Sequence, residues 1–221
     1  DFSKIASREA VVFDGEGASN QITSSSPTYK RFDVDVTGRS AHAGVEPEKG
    51  LSAIIIASDI VNGLPQGRLD EESTFNIGTI QGGTVRNAVP ERVTLMGEFR
   101  SRNLKTLEGM SLILEEVLRK AKMKFPEASI EYKLDTAFEG YSLSQKEPVV
   151  KKVTEALNSL NMEPVWSPSG GGTDGNVFML QGISAIVVGM ADHNAHTTRE
   201  YVSISEMVDT AKLCEALLSP H

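Results

Sequence analysis

The sequence predicts an α/β region interrupted by an inserted α+β unit. Three observations predict it. Across residues 29–136 the strand and helix patterns run in the order β-α-β-β-α-β. After Gly140 they change to helices alternating with short, apolar strands, as in a sheet covered on both faces. A lone apolar strand at residues 10–14 stands ahead of the middle unit, cut off from the strands it would join. One domain is therefore expected to be inserted in another, with the first half of the outer α/β domain lying before Asp1.

The elements follow in order. Ala10-Val11-Val12-Phe13-Asp14 reads as a buried strand ending in a carboxylate, broken by Gly15-Glu16-Gly17. Ser24-Ser25-Ser26-Pro27 reads as a loop and a boundary. Phe32, Val34 and Val36 then alternate with Arg31, Asp33 and Asp35, the period of a half-buried strand. Pro47 suits the first turn of a helix carrying Leu51, Ile54, Ile55, Ile60 and Val61 on one face, closed by Gly63. Strands are expected at 74–81 and at 91–101, where Val93, Leu95 and Phe99 share a side. A helix over 104–125 places Met110, Ile113, Leu114, Val117, Leu118 and Ala121 at helical spacing, and Pro126 stops it. A fourth strand at 129–136 alternates Ile130, Tyr132 and Leu134. This is a ferredoxin-like split unit over residues 27–140, leaving 1–26 and 141–221 to the α/β region.

In that second part Pro148 opens a helix with Val149, Val150, Val153, Ala156, Leu157 and Leu160 inward, followed by a short strand near Val165. Thr173 suits the cap of a helix running to Leu180, and 183–188 is an apolar strand. Ser203 and Glu206 have the spacing of a capping box for the last helix, whose expected buried stripe is Met207, Ala211, Cys214 and Leu218.

Composition excludes several classes. The 221 residues are 39% hydrophobic and 24% charged, ordinary for a globular chain. A formal net charge of −8 lacks the basic footprint of a nucleic-acid binder. No run approaches the roughly 18 apolar residues of a membrane span, and no charged-then-apolar leader is present. Cys214 is the single cysteine, so neither an intrachain disulfide nor a cysteine-based zinc site can form. A cytoplasmic protein is expected.

Several residues suit chemistry. His196 lies in a polar loop after the apolar strand 183–188, where sites of α/β sheets form, and reads as a metal ligand or as a surface-loop histidine. Asp14 ends a strand before glycine and either reaches a site at the sheet edge or only shapes a turn. Gly170-Gly171-Gly172 before Thr173 suits close approach of a ligand to backbone, or is a glycine-rich turn; it matches no nucleotide-binding fingerprint. His42, between small residues, is an exposed imidazole or a capping histidine. Asn87 stands in a turn. Arg100, at a strand end, binds a carboxylate or is a solvated charge. His221 is terminal and is given no role.

Taken together, Val34-Asp-Val-Thr-Gly-Arg-Ser-Ala-His42-Ala-Gly44, Gly82-Gly-Thr-Val-Arg-Asn87-Ala-Val-Pro90, Gly97-Glu-Phe-Arg100-Ser101, Ser169-Gly-Gly-Gly-Thr-Asp174 and His196-Thr-Thr-Arg-Glu200 occur in this order. The set resembles the peptidase T-like members of the zinc exopeptidase family, which also holds carboxypeptidase G-type and aminoacylase-type enzymes. The resemblance implies an α/β catalytic domain with two zinc ions and an inserted lid that forms a homodimer. It implies Asp14 and His196 as ligands of different metals of the pair, and His42 as the lid histidine that reaches the partner's site and steadies the oxyanion. Asn87 and Arg100 match residues that hold the substrate's carboxylate side, and Gly171 and Gly172 a loop lining the substrate pocket. The implied reaction is hydrolysis of short peptides by metal-activated water. The alternatives are a related N-acyl amino acid amidohydrolase and a non-catalytic dimerisation module.

The chain also departs from that pattern. The family's His-x-Asp motif, bridging Asp and Glu-Glu pair all precede the Asp14 position; here no histidine precedes His42 and no Glu-Glu pair precedes Asp14. The expectation is that this polypeptide alone holds no metal firmly and is inactive. No membrane or nucleic-acid partner is expected.

Overall fold

The computed structural model describes residues 1–218. In chain order the strands are β1 (Glu9–Gly15), β2 (Gln21–Ser26), β3 (Thr28–Thr37), β4 (Gly67–Arg68), β5 (Ser73–Gly82), β6 (Arg92–Ser101), β7 (Ser129–Phe138), β8 (Tyr141–Ser142), β9 (Val165–Pro168), β10 (Ser184–Gly189), β11 (Asp192–His193) and β12 (Tyr201–Val202). The helices are α1 (Ala53–Gly63), α2 (Leu104–Lys124), α3 (Pro148–Ser159), α4 (Asp174–Leu180) and α5 (Ile204–Leu218). The chain forms two compact units: Asp1–Pro27 together with the chain from Phe138 onward, and Thr28–Ala137. No described helix is long and apolar enough to cross a membrane.

In the first unit the sheet order is β1-β10-β2-β8, with β9 also on β2. The strand at the start of the chain is captured by one near its end: β1 runs parallel to β10, Glu9 opposite Ser184 and Phe13 opposite Val188. Ala185, Ile186, Val187 and Val188 are wholly buried, so both faces of β10 are covered, as a continuous apolar strand requires. Ile186 and Val188 join Ile22, Val150, Val153, Leu157 and Leu213 in one core.

Two expectations are corrected here. Ser24, Ser25 and Ser26 are not loop: they are half of β2, whose backbone pairs with β9 on one side and with β8 at Ser25 and Ser26. The polar side chains do not oppose this, because the ladder satisfies the main chain and the Ser26 hydroxyl pairs with Asn176 and the Gly171 carbonyl. In α5 the buried residue is Leu213, with Ala216 and Leu217 packed beside it, whereas Met207 and Leu218 are exposed at 50% and 85%. Packing of α5 against α3 turns a neighbouring stripe inward, and helical spacing alone allowed either.

The second unit is a sheet in the order β4-β5-β6-β3-β7, antiparallel along β5-β6-β3, with α1 and α2 packed against it. Its centre is a cluster of three phenylalanines. Phe75 and Phe99 stack with ring centroids 5.2 Å apart, and Phe32 lies 5.5 Å from Phe75. Gly97 makes room for Phe32: a Cβ there would sit 2.2 Å from the ring's Cζ. The helix expected from Pro47 begins later. Pro47–Lys49 is one 3-10 turn, Leu51 pairs with Arg39 across an isolated bridge, and α1 starts after Ser52, whose Oγ accepts from the Ile55 N–H. The buried face is accordingly Ala53, Ile56, Ala57 and Ile60, while Ile54 and Ile55 stand exposed. Pairing of Leu51 keeps it extended and resets the start of the helix, and so its inward face.

Candidate functional site

In the first unit one cavity of about 410 Å³ is lined by Asp14, Gly171, Gly172, Asp192, His196 and Glu200, among others. It lies where Asp14 at the carboxyl end of β1 meets the loop after β10, the place where open parallel sheets build sites. The cavity is acidic. Partial burial pushes the Asp14 carboxyl above its ordinary range, and the charges of Asp174 and Asp192 push it further the same way. Negative charge held together in this way is relieved by a cation.

The loop after β10 is unusual in its backbone. Ala191, Asn194 and His196 all have positive φ, at 75°, 56° and 63°. Its stem is the two-residue ladder between β11 and β12. His193 stacks on Tyr201 at 4.9 Å, and its Nε2 lies 2.5 Å from the Glu206 carboxylate. Glu206 therefore does not close a capping box: Ser203 Oγ accepts from the Glu206 N–H at 3.5 Å, but the carboxylate turns to His193. At the tip, the His196 N–H donates to Glu200 Oε2 at 2.7 Å.

The glycine-rich loop is held by Asn176, a residue the sequence reading passed over. Asn176 Oδ1 accepts from the Thr173 N–H at 3.0 Å, and its Nδ2 donates to Ser26 Oγ and to the Glu139 carbonyl, each at 2.8 Å. Ser26 Oγ in turn lies 2.9 Å from the Gly171 carbonyl. Asn176 stands three residues after the cap Thr173, the reciprocal position of a capping box, and that spacing was the available signal. The glycines differ in what requires them. A Cβ on Gly172 would fall 2.3 Å from the Phe138 ring, so packing excludes a side chain there; on Gly171 the nearest such atom is Ser169 Oγ at 3.8 Å. Asp192 was also not singled out by sequence, since a lone carboxylate in a polar loop carries no spacing signal, and Glu200 stood at the end of the His196-Thr-Thr-Arg-Glu200 motif without a role.

As metal donors, the carboxylate of Asp14 and the imidazole of His196 fit a divalent cation in type, and the acidic lining suits one. They do not fit in number: among the described residues no three His, Cys, Asp or Glu side chains converge as a metal-holding group.

The other candidates belong to the second unit. His42 is exposed and its loop is pinned to the segment that carries Asn87. The Ala43 N–H donates to the Asn87 carbonyl at 3.0 Å, the Val89 N–H to the Ala41 carbonyl at 2.9 Å, and His42 bridges Ala88. The His42 Nδ1 accepts from the Gly44 N–H at 3.2 Å, so in the neutral ring the proton sits on Nε2 and makes that nitrogen a donor. Arg100 is half-buried: its Nε is paired with Glu98 at 2.6 Å, and its guanidinium lies 4.5 Å over the Tyr29 ring.

Residues 26–126 match the family described as the peptidase dimerisation domain. The uncharacterized protein YqjE of Bacillus subtilis is 33% identical over 224 residues, covering 99% of this chain and 58% of the relative. Two solved structures are similar throughout. The aminopeptidase PepT of Bacillus cereus has a TM-score of 0.83 at 30% identity, and a tripeptidase of Staphylococcus aureus has 0.88 at 25%. Each comparison covers 99% of this chain and 58% of the other. The chain thus spans somewhat more than half the length of these relatives.

Proposed function

We propose a function from one premise, that the chain is a peptidase T-like member of the M20 peptidase family. The proposed activity is metal-dependent hydrolysis of short peptides, tripeptides among them, to which this chain contributes an inserted ferredoxin-like lid and part of the α/β catalytic domain. The observation that carries it is the cavity shared by Asp14, His196 and the glycine-rich loop, at the carboxyl end of β1. The names of the two similar structures, an aminopeptidase and a tripeptidase, support peptides over N-acyl amino acids as substrates.

Asp14 and His196 would each give one donor to a divalent metal pair, two zinc ions by the resemblance. The further donors are assigned to the part of the relatives' length that this chain does not span. When bound, such a pair supplies an activated water. The chain's own residues then bind and orient the peptide. Gly171 and Gly172 line the substrate pocket. Asn87 and Arg100 hold the substrate's carboxylate side, with Arg100 braced by Glu98. His42 donates from Nε2 to the oxyanion of a site in a second copy of the chain, a role suited by the Gly44 N–H that occupies its Nδ1.

The lid is proposed to form the homodimer. Support comes from the match to a dimerisation domain and from exposed apolar side chains on the second unit. Ile80 on β5 is 54% exposed, and Ile54 and Ile55 on α1 are exposed at 42% and 63%.

The coding sequence upstream of Asp1 tests this reading. An in-frame His-x-Asp motif and Glu-Glu pair are expected, and their product should cleave tripeptides in a chelator-sensitive way. Cleavage of N-acyl amino acids with no action on tripeptides would overturn the peptidase reading.

A further inference from the structure

We propose that Glu200 is the positioning residue that presents His196 to the cavity. The proposal takes the purpose of the imidazole from the metal-ligand reading above, but how His196 is held stands on geometry alone. His196, Asn194 and Ala191 all occupy the left-handed region, within six positions, and none is glycine. L residues rarely adopt that region, and they stay there only where the surroundings over-determine it.

For His196 the determinant is a closed ring of contacts. Its N–H donates to Glu200 Oε2 at 2.7 Å, a charge-assisted bond of the stronger kind. Thr197 Oγ1 donates to the Asn194 carbonyl at 2.8 Å and accepts from the Arg199 N–H at 3.1 Å. The Glu200 N–H returns to the Thr197 carbonyl at 3.2 Å. The side chain that ends the turn thus grips the N–H that begins it. The stem is fixed separately, by the β11–β12 ladder and by His193 against Tyr201 and Glu206. Without the Glu200 carboxylate, the stem remains and the tip loses the acceptor of the His196 N–H. His196 is then free to return to an ordinary φ, which redirects its side chain. Glu200 lines the same cavity, so a direct ligand role is the competing assignment. Commitment of Oε2 to a backbone N–H is the reason to assign positioning.

The test compares the 221-residue chain with Glu200→Gln, which keeps an acceptor oxygen, and Glu200→Ala, which removes it. The amides of β10 report that each variant is folded. By NMR, exchange of the His196 amide should quicken about tenfold in Glu200→Ala and less than about threefold in Glu200→Gln, as loss or retention of one hydrogen bond predicts. In a cobalt(II) titration, the concentration that broadens the His196 ring signals should rise about tenfold in Glu200→Ala and stay within about threefold in Glu200→Gln. An unchanged amide rate in Glu200→Ala would overturn the proposal. So would a Glu200→Gln protein that keeps amide protection yet loses cobalt broadening as fully as Glu200→Ala, for Glu200 would then be a ligand. If cobalt leaves the wild-type His196 ring unaffected, as an incomplete donor set allows, the amide rates alone decide whether Glu200 holds the residue.

Discussion

Asn176 and Ser26 are 150 residues apart in sequence and joined by a 2.8 Å hydrogen bond from Asn176 Nδ2 to Ser26 Oγ. Both are buried, and between them they fix the Thr173 N–H, the Gly171 carbonyl and the Glu139 carbonyl. The shape of the glycine-rich loop is therefore set by a strand from the start of the chain.

Asn176→Ala removes the centre of that network and leaves buried groups unpaired. The expected cost is about 2–3 kcal/mol of stability, with faster amide exchange at Gly171 to Thr173. Urea denaturation and exchange rates check it; a loss under about 0.5 kcal/mol would show that water replaces the amide without cost.

Gly97→Ala overfills the second unit, because the new Cβ would meet the Phe32 ring at 2.2 Å and the Asn76 carbonyl at 2.7 Å. A destabilisation of about 1–3 kcal/mol is expected. Pairing it with Phe32→Leu should recover part of that loss, and a strictly additive double mutant would contradict the proposed clash.

Tyr141 sets a pH dependence. Burial pushes its phenol up from 10.0 to about 12, and among the described residues its Oη has no hydrogen-bond partner. The folded state thus favours the neutral ring. Its contribution is complete below pH 10 and is lost as pH rises through about 12, at most about 2–3 kcal/mol. Tyr141→Phe should be neutral or slightly stabilising at pH 7, since an unsatisfied hydroxyl is removed, and should flatten the alkaline limb. Denaturation midpoints at pH 8 and 11 measure both; an equal alkaline loss in the two proteins would assign it to other groups.

Ile80→Asp and Ile55→Asp place charge at exposed apolar positions of the second unit and should convert a micromolar dimer to monomer without unfolding. Sedimentation velocity reads this directly. A wild-type chain that sediments only as monomer at that concentration would count against the lid as the dimer contact.

Metal content separates the chain from the activity proposed for it. Inductively coupled plasma analysis of the purified 221-residue chain should find less than two tightly bound zinc ions, and tripeptide hydrolysis should be undetectable. Two firmly held zinc ions per chain would refute the expectation that Asp14 and His196 are only part of the donor set.

Much of the local structure was legible in the residues. Alternation of Phe32, Val34 and Val36 fixed the inward face of β3, and Val93, Leu95 and Phe99 that of β6, because strand period and burial are properties of neighbouring residues. Thr173 announced the start of α4 for the same reason: its hydroxyl accepts from the Gly175 N–H two residues on. The candidate residues Asp14, His196, Gly171 and Gly172 were named from strand ends and loop composition, and they line one cavity.

What the sequence by itself determined, then, was the type of each long element and the residues suited to chemistry. Only the tertiary structure decided the polar pairings and the rotations: that a run of serines is strand β2, that α1 turns Ile56 inward and Ile55 outward, that Glu206 serves His193 and not a helix cap, and that Glu200 grips the His196 N–H. The physical reason is range. Periodicity and capping act over a few residues and are written locally, whereas a polar group takes whichever partner the fold brings within 3 Å, and a helix buries whichever stripe its neighbours leave open.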